Sequence, residues 1–245
     1  MSKIIPRKCQ CFVCGNESEQ YLLLSSNSFF GSPDLDLRPA PMMRNTMDAW
    51  LQECPECGYV SEHLTDKTTV DREWLKKYRG KSVDFDFYSE KLNVTFSSPI
   101  KRGLPVKGKR CVCGEITFKA SLAVRFYKRY LICLADGDHM GAFFAALHTA
   151  WICDDTCDDD NAKDFRLKAL EELEKCEIDS DDAETFALRK ADIMRRSEKF
   201  DEVITQFEGM TFSDGKKAKI IAFQVELAKN KESGQYKIEQ VLENE

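Results

Sequence analysis

A chain of 245 residues has room for one large or two modest domains. Charged residues at 32% against apolar residues at 42% favour thin helical layers with much exposed surface over a single thick core. The net charge of −6 divides into +2 over residues 1–115 and −8 over 116–245, and the acidic second half argues against broad phosphate or anionic-membrane binding there, which needs clustered cations.

The N-terminal stretch Met1-Ser2-Lys3-Ile4-Ile5-Pro6-Arg7-Lys8 reads as a short basic lead without the apolar stretch of a secretory signal. No apolar run approaches the ~20 residues that span a bilayer. The chain therefore reads as cytoplasmic. In that compartment eleven cysteines are metal ligands, small buried residues or free thiols rather than a disulfide framework.

Two thiol knuckles follow, Cys11-Phe12-Val13-Cys14-Gly15 and Cys54-Pro55-Glu56-Cys57-Gly58. The two-residue spacing lets both sulfurs of a pair face one ion, and the glycine suits the tight turn after them. Cys9 would need a wider loop and is read as a spare thiol beside the site. Cys11, Cys14, Cys54 and Cys57 together form the ligand set of one closed structural zinc ion; an iron–sulfur cluster is the minor alternative. Tyr21–Leu24 reads as a strand leaving the first knuckle, and Ala49–Gln52 as one entering the second. The 39 residues between the knuckles exceed the simplest four-cysteine spacing. The excess is a long loop, expected to project from the ribbon. Asp34, Asp36, Arg38 and Arg44 place both charges there beside Leu35, Leu37, Met42 and Met43. The alternatives for it are a partner-binding finger and a loop folded back on its own ribbon.

Thr68–Arg79 predicts a helix capped by Thr68 or Thr69 and stopped by Gly80. Val83, Phe85 and Phe87 alternate as in a strand, though a helical turn is also compatible. Pro99, Gly103, Pro105 and Gly108 mark a linker made basic by Lys101, Arg102, Lys107, Lys109 and Arg110, either a solvated loop or a local phosphate-binding patch. Cys111 and Cys113 close it. Alone they supply two ligands, and Cys153 with Cys157 could complete a second metal site or a set of redox thiols.

From Phe118 onward the apolar residues recur at helical spacing, giving six helices and a final turn. Ala142–Trp151 pairs with Phe165–Leu173, and Phe186–Arg196 with Asp201–Phe207. Asp158 or Asn161 caps the third helix. The run Ala191–Val203 has the small and apolar positions of a tetratricopeptide-type (TPR-like) turn. Ala150 to Ala191 spans 41 residues rather than about 34, so the array is irregular. Stacked hairpins would bury a continuous core that no single one can.

Catalytic candidates are few. Four thiolates leave no open position on a metal. His63, His139 and His148 read as surface or core residues. The Asp154-Asp155 and Asp158-Asp159-Asp160 cluster reads as a solvated, helix-capping loop, since it lacks the spacing of a calcium loop. There is no Gly-rich phosphate loop, nucleophile elbow or His-Glu-x-x-His.

The knuckles, the run Gly31-Ser32-Pro33-Asp34-Leu35-Asp36-Leu37-Arg38-Pro39, the segments Trp50–Tyr59 and Ala150–Asp155, and Ala191–Arg196 together resemble an uncharacterised bacterial family, catalogued as a domain of unknown function. The resemblance covers most of the chain. It implies a bacterial cytoplasmic protein with an N-terminal zinc-ribbon-like segment, TPR-like helices and Cys11, Cys14, Cys54 and Cys57 as ligands. It implies no reaction, and residues 81–113 depart from its pattern as an insertion.

The expected architecture is mainly α: a zinc ribbon over 1–66, a connecting helix and basic insertion over 67–115, and a TPR-like antiparallel helical-hairpin array over 116–245. The expected role is a non-enzymatic protein-interaction module using the array or the 31–44 loop. The alternatives are a nucleic-acid binder using the ribbon and the 101–110 loop, and a thiol-based redox or metal sensor.

Overall fold

The computed structural model describes residues 2–78, 105–106, 109–110 and 119–242. Cys111, Cys113, the Val83–Phe87 alternation, and Lys101, Arg102 and Lys107 of the basic stretch lie outside the described residues.

The chain opens with a hairpin, β1 (Lys3–Gln10) and β2 (Glu17–Ser25), paired antiparallel with Gln10 opposite Glu17 and Cys9 opposite Ser18. The segment read as a basic lead is thus a strand. A knuckle reverses the chain, and the residues on either side of it are left to pair whatever their polarity. The second knuckle carries a smaller copy of this arrangement in β3 (Gln52–Glu53) and β4 (Val60–Ser61). The strand expected over Ala49–Gln52 starts only at Gln52. A single 3₁₀ turn, Met47–Ala49, and a short α1 (Pro41–Arg44) precede it.

Helix α2 (Arg72–Tyr78) follows the ribbon. Its cap is Asp71, whose Oδ1 accepts from the Trp74 amide at 2.7 Å. Thr68 and Thr69, expected as caps, instead donate to the Asp136 carboxylate. A small pair, β5 (Pro105–Val106) and β6 (Lys109–Arg110), precedes the array.

The array comprises α3 (Lys119–Asp136), α4 (His139–Asp155), α5 (Asp159–Leu173), α6 (Ser180–Arg196), α7 (Phe200–Phe207), α8 (Gly215–Lys229) and α9 (Glu239–Leu242). Short connections make successive helices antiparallel neighbours, an arrangement compatible with TPR-like stacking. Helix α4 is the centre. It packs on both α3 and α5, and ten of its residues are buried. Ala142, Ala145, Ala146 and Ala150 let the neighbouring helices approach closely, while Phe143, Leu147 and Ile152 fill the space between them. Its first turn is tight. Asp138 caps it by accepting from the Gly141 amide at 2.8 Å, and a Cβ on Gly141 would sit 2.1 Å from that same carboxylate.

One hydrophobic cluster runs from Cys11 in the ribbon to Ala228 in α8, so ribbon and array share a core. Polar clamps fix the seam. Arg125 Nη1 donates to the carbonyls of Asp48 (2.9 Å) and Leu51 (3.3 Å), and Lys128 pairs with Glu53. The C-terminal stretch returns to the start of the chain. The Ile238 amide donates to the Pro33 carbonyl, the Leu35 amide to the Tyr236 carbonyl, and the Glu239 amide to Ser32 Oγ. No helix among the described residues is long and apolar enough to cross a membrane.

Candidate metal centre and the buried loop

The two knuckles are built by the same backbone pattern. The Cys11 amide donates to the Asn16 carbonyl and the Gly15 amide to the Cys11 carbonyl. The Cys54 amide donates to the Tyr59 carbonyl and the Gly58 amide to the Cys54 carbonyl. Both glycines are left-handed, Gly15 at φ 73° and Gly58 at φ 78°. A Cβ at either would meet nothing within 4 Å, so only the backbone conformation excludes a side chain. Gly58→Ala should therefore cost about 1–2 kcal/mol of left-handed strain. That weakens metal retention about tenfold in a chelator competition and leaves the helical content unchanged.

The four sulfurs of Cys11, Cys14, Cys54 and Cys57 lie within 4.8 Å of one another. Cys11 faces Cys57 at 3.6 Å and Cys14 faces Cys54 at 3.5 Å. These separations are far beyond the ~2.05 Å of a disulfide and close to the ~3.8 Å edge of a thiolate tetrahedron with metal–sulfur bonds of ~2.3 Å. Backbone amides support the sulfurs: Val13 and Cys14 at Cys11, Asn16 at Cys14, and Tyr59 at Cys57. Burial pushes the Cys11 and Cys57 thiols up. At Cys14 burial is outweighed by the Asn16 amide and the neighbouring thiols, and its pKa falls to about 7. Such a thiol set deprotonates fully when a cation shares it. The donor set, spacing and amide support all fit a metal ion. The knuckles are tied together by the Phe12 amide, which donates to the Leu64 carbonyl, and to α2 by Arg72, which donates to the Cys14 carbonyl.

Cys9 lies in β1, outside this cluster. Cys153 is buried in α4 and Cys157 follows α4 at φ 57°. Among the described residues Cys11, Cys14, Cys54 and Cys57 make the one grouping able to hold a metal.

The loop expected to project from the ribbon is buried instead. Asp36 and Arg38 are each 1% exposed, and Leu35 is fully enclosed. The loop turns tightly on itself. The Leu37 amide donates to the Asp34 carbonyl, the Arg38 amide to Asp36 Oδ1, and Leu37 adopts φ 65°. Its charges are used inward. Arg38 pairs with Asp155 at 2.6 Å, Trp151 Nε1 donates to Asp36 at 2.5 Å, and Asp34 accepts from Arg44 (2.9 Å) and Gln235 (2.5 Å). The physical reason is the seam with the array, where the Asp155 charge and the Trp151 N–H of α4 and the Gln235 amide of the C-terminal stretch replace solvent.

Asp154 corrects a second expectation. Its side chain, 7% exposed, is held between two bidentate guanidinium groups, Arg166 and Arg196, rather than solvated. Burial pulls its carboxyl up, and the two arginines more than offset this, holding it at about 2. Asp192 and Arg195 continue the network at 2.6 Å, and Arg195 also donates to the carbonyls of Glu232 and Gly234. Sequence reasoning left Trp151, Arg166, Asp192 and Gln235 without a polar role. The available signal was the recurrence of balanced acid–arginine pairs at 34–44, 154–166 and 192–196.

His148 sits among rings, with centroids 4.7 Å from Trp151, 5.1 Å from Trp50 and 5.2 Å from Phe126. Burial, then the nearby Arg189 and Arg38 charges, hold it down to about 3. An unfolded histidine titrates near 6.5. Between those values the unfolded chain binds the extra proton. This contribution is therefore complete above pH ~6.5 and is lost as pH falls toward 3, by about 1.4 kcal/mol per unit. His148→Phe should flatten the decline in urea midpoint between pH 7 and pH 5. An unchanged slope would show that the ring is protonated in the fold.

Comparison with family models, with curated proteins and with solved structures finds no match to this chain.

Proposed function

We propose that the protein is a zinc-stapled interaction module. One zinc ion on Cys11, Cys14, Cys54 and Cys57 ties the two knuckles of the ribbon together, and the ribbon side presents aromatic anchors to a protein partner. Four thiolates complete a tetrahedron, so the ion has a structural rather than a catalytic place. The observation that carries the partner reading is the stretch just past the hairpin. Phe29 is 65% and Phe30 75% exposed, directly before the buried loop, and Phe30 holds φ 69°. A bulky residue keeps a left-handed backbone only where its surroundings over-determine it. Large aromatic side chains on a fixed support are what interface hot spots use. This moves the proposed contact surface from the 31–44 loop to the residues just before it.

The test is affinity capture from a bacterial lysate with the wild type and a Phe29→Ser/Phe30→Ser variant, alongside metal analysis of the purified chain. The expected result is about one zinc per chain in both, with specific captured proteins lost only in the variant. Identical capture by both would remove the aromatic surface. Purified protein without zinc would remove the staple.

A further inference from the structure

A cavity of about 480 Å³ opens at the seam between ribbon and array, a size within the range of small-molecule sites. Its walls come from separate parts of the chain: β2, the Met47–Ala49 turn with Trp50, the residues after β4, and helices α3 and α4. The lining is mostly hydrocarbon and aromatic, with Trp50, Phe126 and Phe144 at its centre. Three features are chemically specific. His148 lines the cavity, which accounts for the surface its ring retains, and it has no hydrogen-bond partner among the described residues. Its ring is uncharged at neutral pH, so it offers one N–H donor and one bare nitrogen acceptor. The two charged side chains on the lining, Glu62 and Arg129, are opposite in sign and give no net preference for an ionic guest.

We propose that this cavity is a binding site for an uncharged, fused-ring aromatic small molecule that stacks among Trp50, Phe126 and Phe144 and hydrogen-bonds to His148. The His148 ring keeps surface in the cavity and has a donor and an acceptor to offer, so an occupant with one complementary group gains a hydrogen bond there. The Trp50 and Phe126 rings stand edge-to-face on the imidazole at 5.1 and 5.2 Å and Phe144 is tilted to it at 6.0 Å, ring packing that a planar guest would extend. A charged guest would exchange its hydration for a mostly apolar lining whose two charges, on Glu62 and Arg129, oppose each other, which disfavours it. The site does not depend on the Phe29–Phe30 surface, so either can fail alone.

The probes are 2-naphthol, quinoline and naphthalene, titrated into the full-length, metal-loaded protein. The readout is the chemical shifts of the Trp50 indole N–H and the His148 ring nitrogens. Saturable shifts are expected with 2-naphthol and quinoline, at least about tenfold tighter than with naphthalene, which lacks the polar group. His148→Phe should remove that preference while keeping weak naphthalene binding. Ala49→Trp, which fills the cavity from its ribbon wall, should abolish saturation by all three. A melting temperature no lower than that of the wild type in both variants shows that the fold is intact. The proposal is overturned if none of the probes saturates, if Ala49→Trp leaves the titrations unchanged, or if naphthalene binds as tightly as 2-naphthol. It is also overturned if the cavity accepts only the aromatic side chain of a bound protein, seen as Trp50 shifts with captured partner and none with the probes.

Discussion

Cys54→Ser is expected to purify with well below one equivalent of metal and to lose the ribbon as a cooperative unit. A structural zinc site can contribute on the order of 10 kcal/mol to the fold that contains it. That is comparable to the whole stability of a typical domain. The ribbon has little else to replace it with, since β3 and β4 are two residues each and the hairpin stands as a two-stranded sheet. The loss should spread. Leu51, Tyr59, Val60 and Leu64 are buried in the cluster shared with α3, so melting the ribbon uncovers the face of α3 that packs on β4. Chelation of the wild type should reproduce the variant's spectrum. Hydrogen exchange is the decisive measurement, with protection expected to fall first in β3, β4 and the seam residues of α3. Retained protection there in metal-free protein would reduce the metal to an accessory.

The second large effect is expected at Asp154. Asp154→Ala removes the carboxylate shared by Arg166 and Arg196 and leaves two guanidinium groups buried without their partner, a change worth about 3–5 kcal/mol. The same network predicts acid sensitivity of a stated sign. The folded pKa of Asp154 lies at about 2, below the ordinary carboxylate value of 3.8. Its contribution is therefore complete above pH ~4 and disappears as pH falls through 2. Urea midpoints at pH 7 would give the first effect, and their loss between pH 4 and pH 2 the second. A compensated variant, Asp154→Leu with Arg166→Met and Arg196→Met, should recover much of the loss because it leaves no charge stranded. If Asp154→Ala costs less than about 1 kcal/mol, the network is solvated in solution.

The parts of this protein that chemistry concentrates locally were legible in its sequence. Cys-x-x-Cys-Gly specifies a turn, two sulfurs and a left-handed glycine within five residues, and the structure brings both copies to one point. The helices were legible for a similar reason: Asp158 and the periodic Phe165, Ala169 and Leu173 lie within one element and need no distant partner. The 31–44 loop was misread because its meaning is nonlocal. Asp36 and Arg38 look like surface residues until Trp151 and Asp155 are placed against them, more than a hundred residues away. Asp154 was misread in the same way, since Arg196 lies 42 positions further on. Composition reports how polar a residue is. It does not report whether an opposite charge will be folded against it.

The return of the C-terminal stretch to residues 32–35 has a consequence for how the chain comes to be made. The bonds joining Pro33 and Leu35 to Tyr236 and Ile238 span about two hundred positions, so residues 33–35 cannot make them until that much more chain has been synthesised. The knuckles emerge early and can take their ion at once. The loop between them stays without Gln235 while the two hundred residues that separate Asp34 from it are made. A nascent chain would therefore carry the four cysteines already brought together, with the backbone of Pro33 and Leu35 unpaired until residues 236–238 arrive.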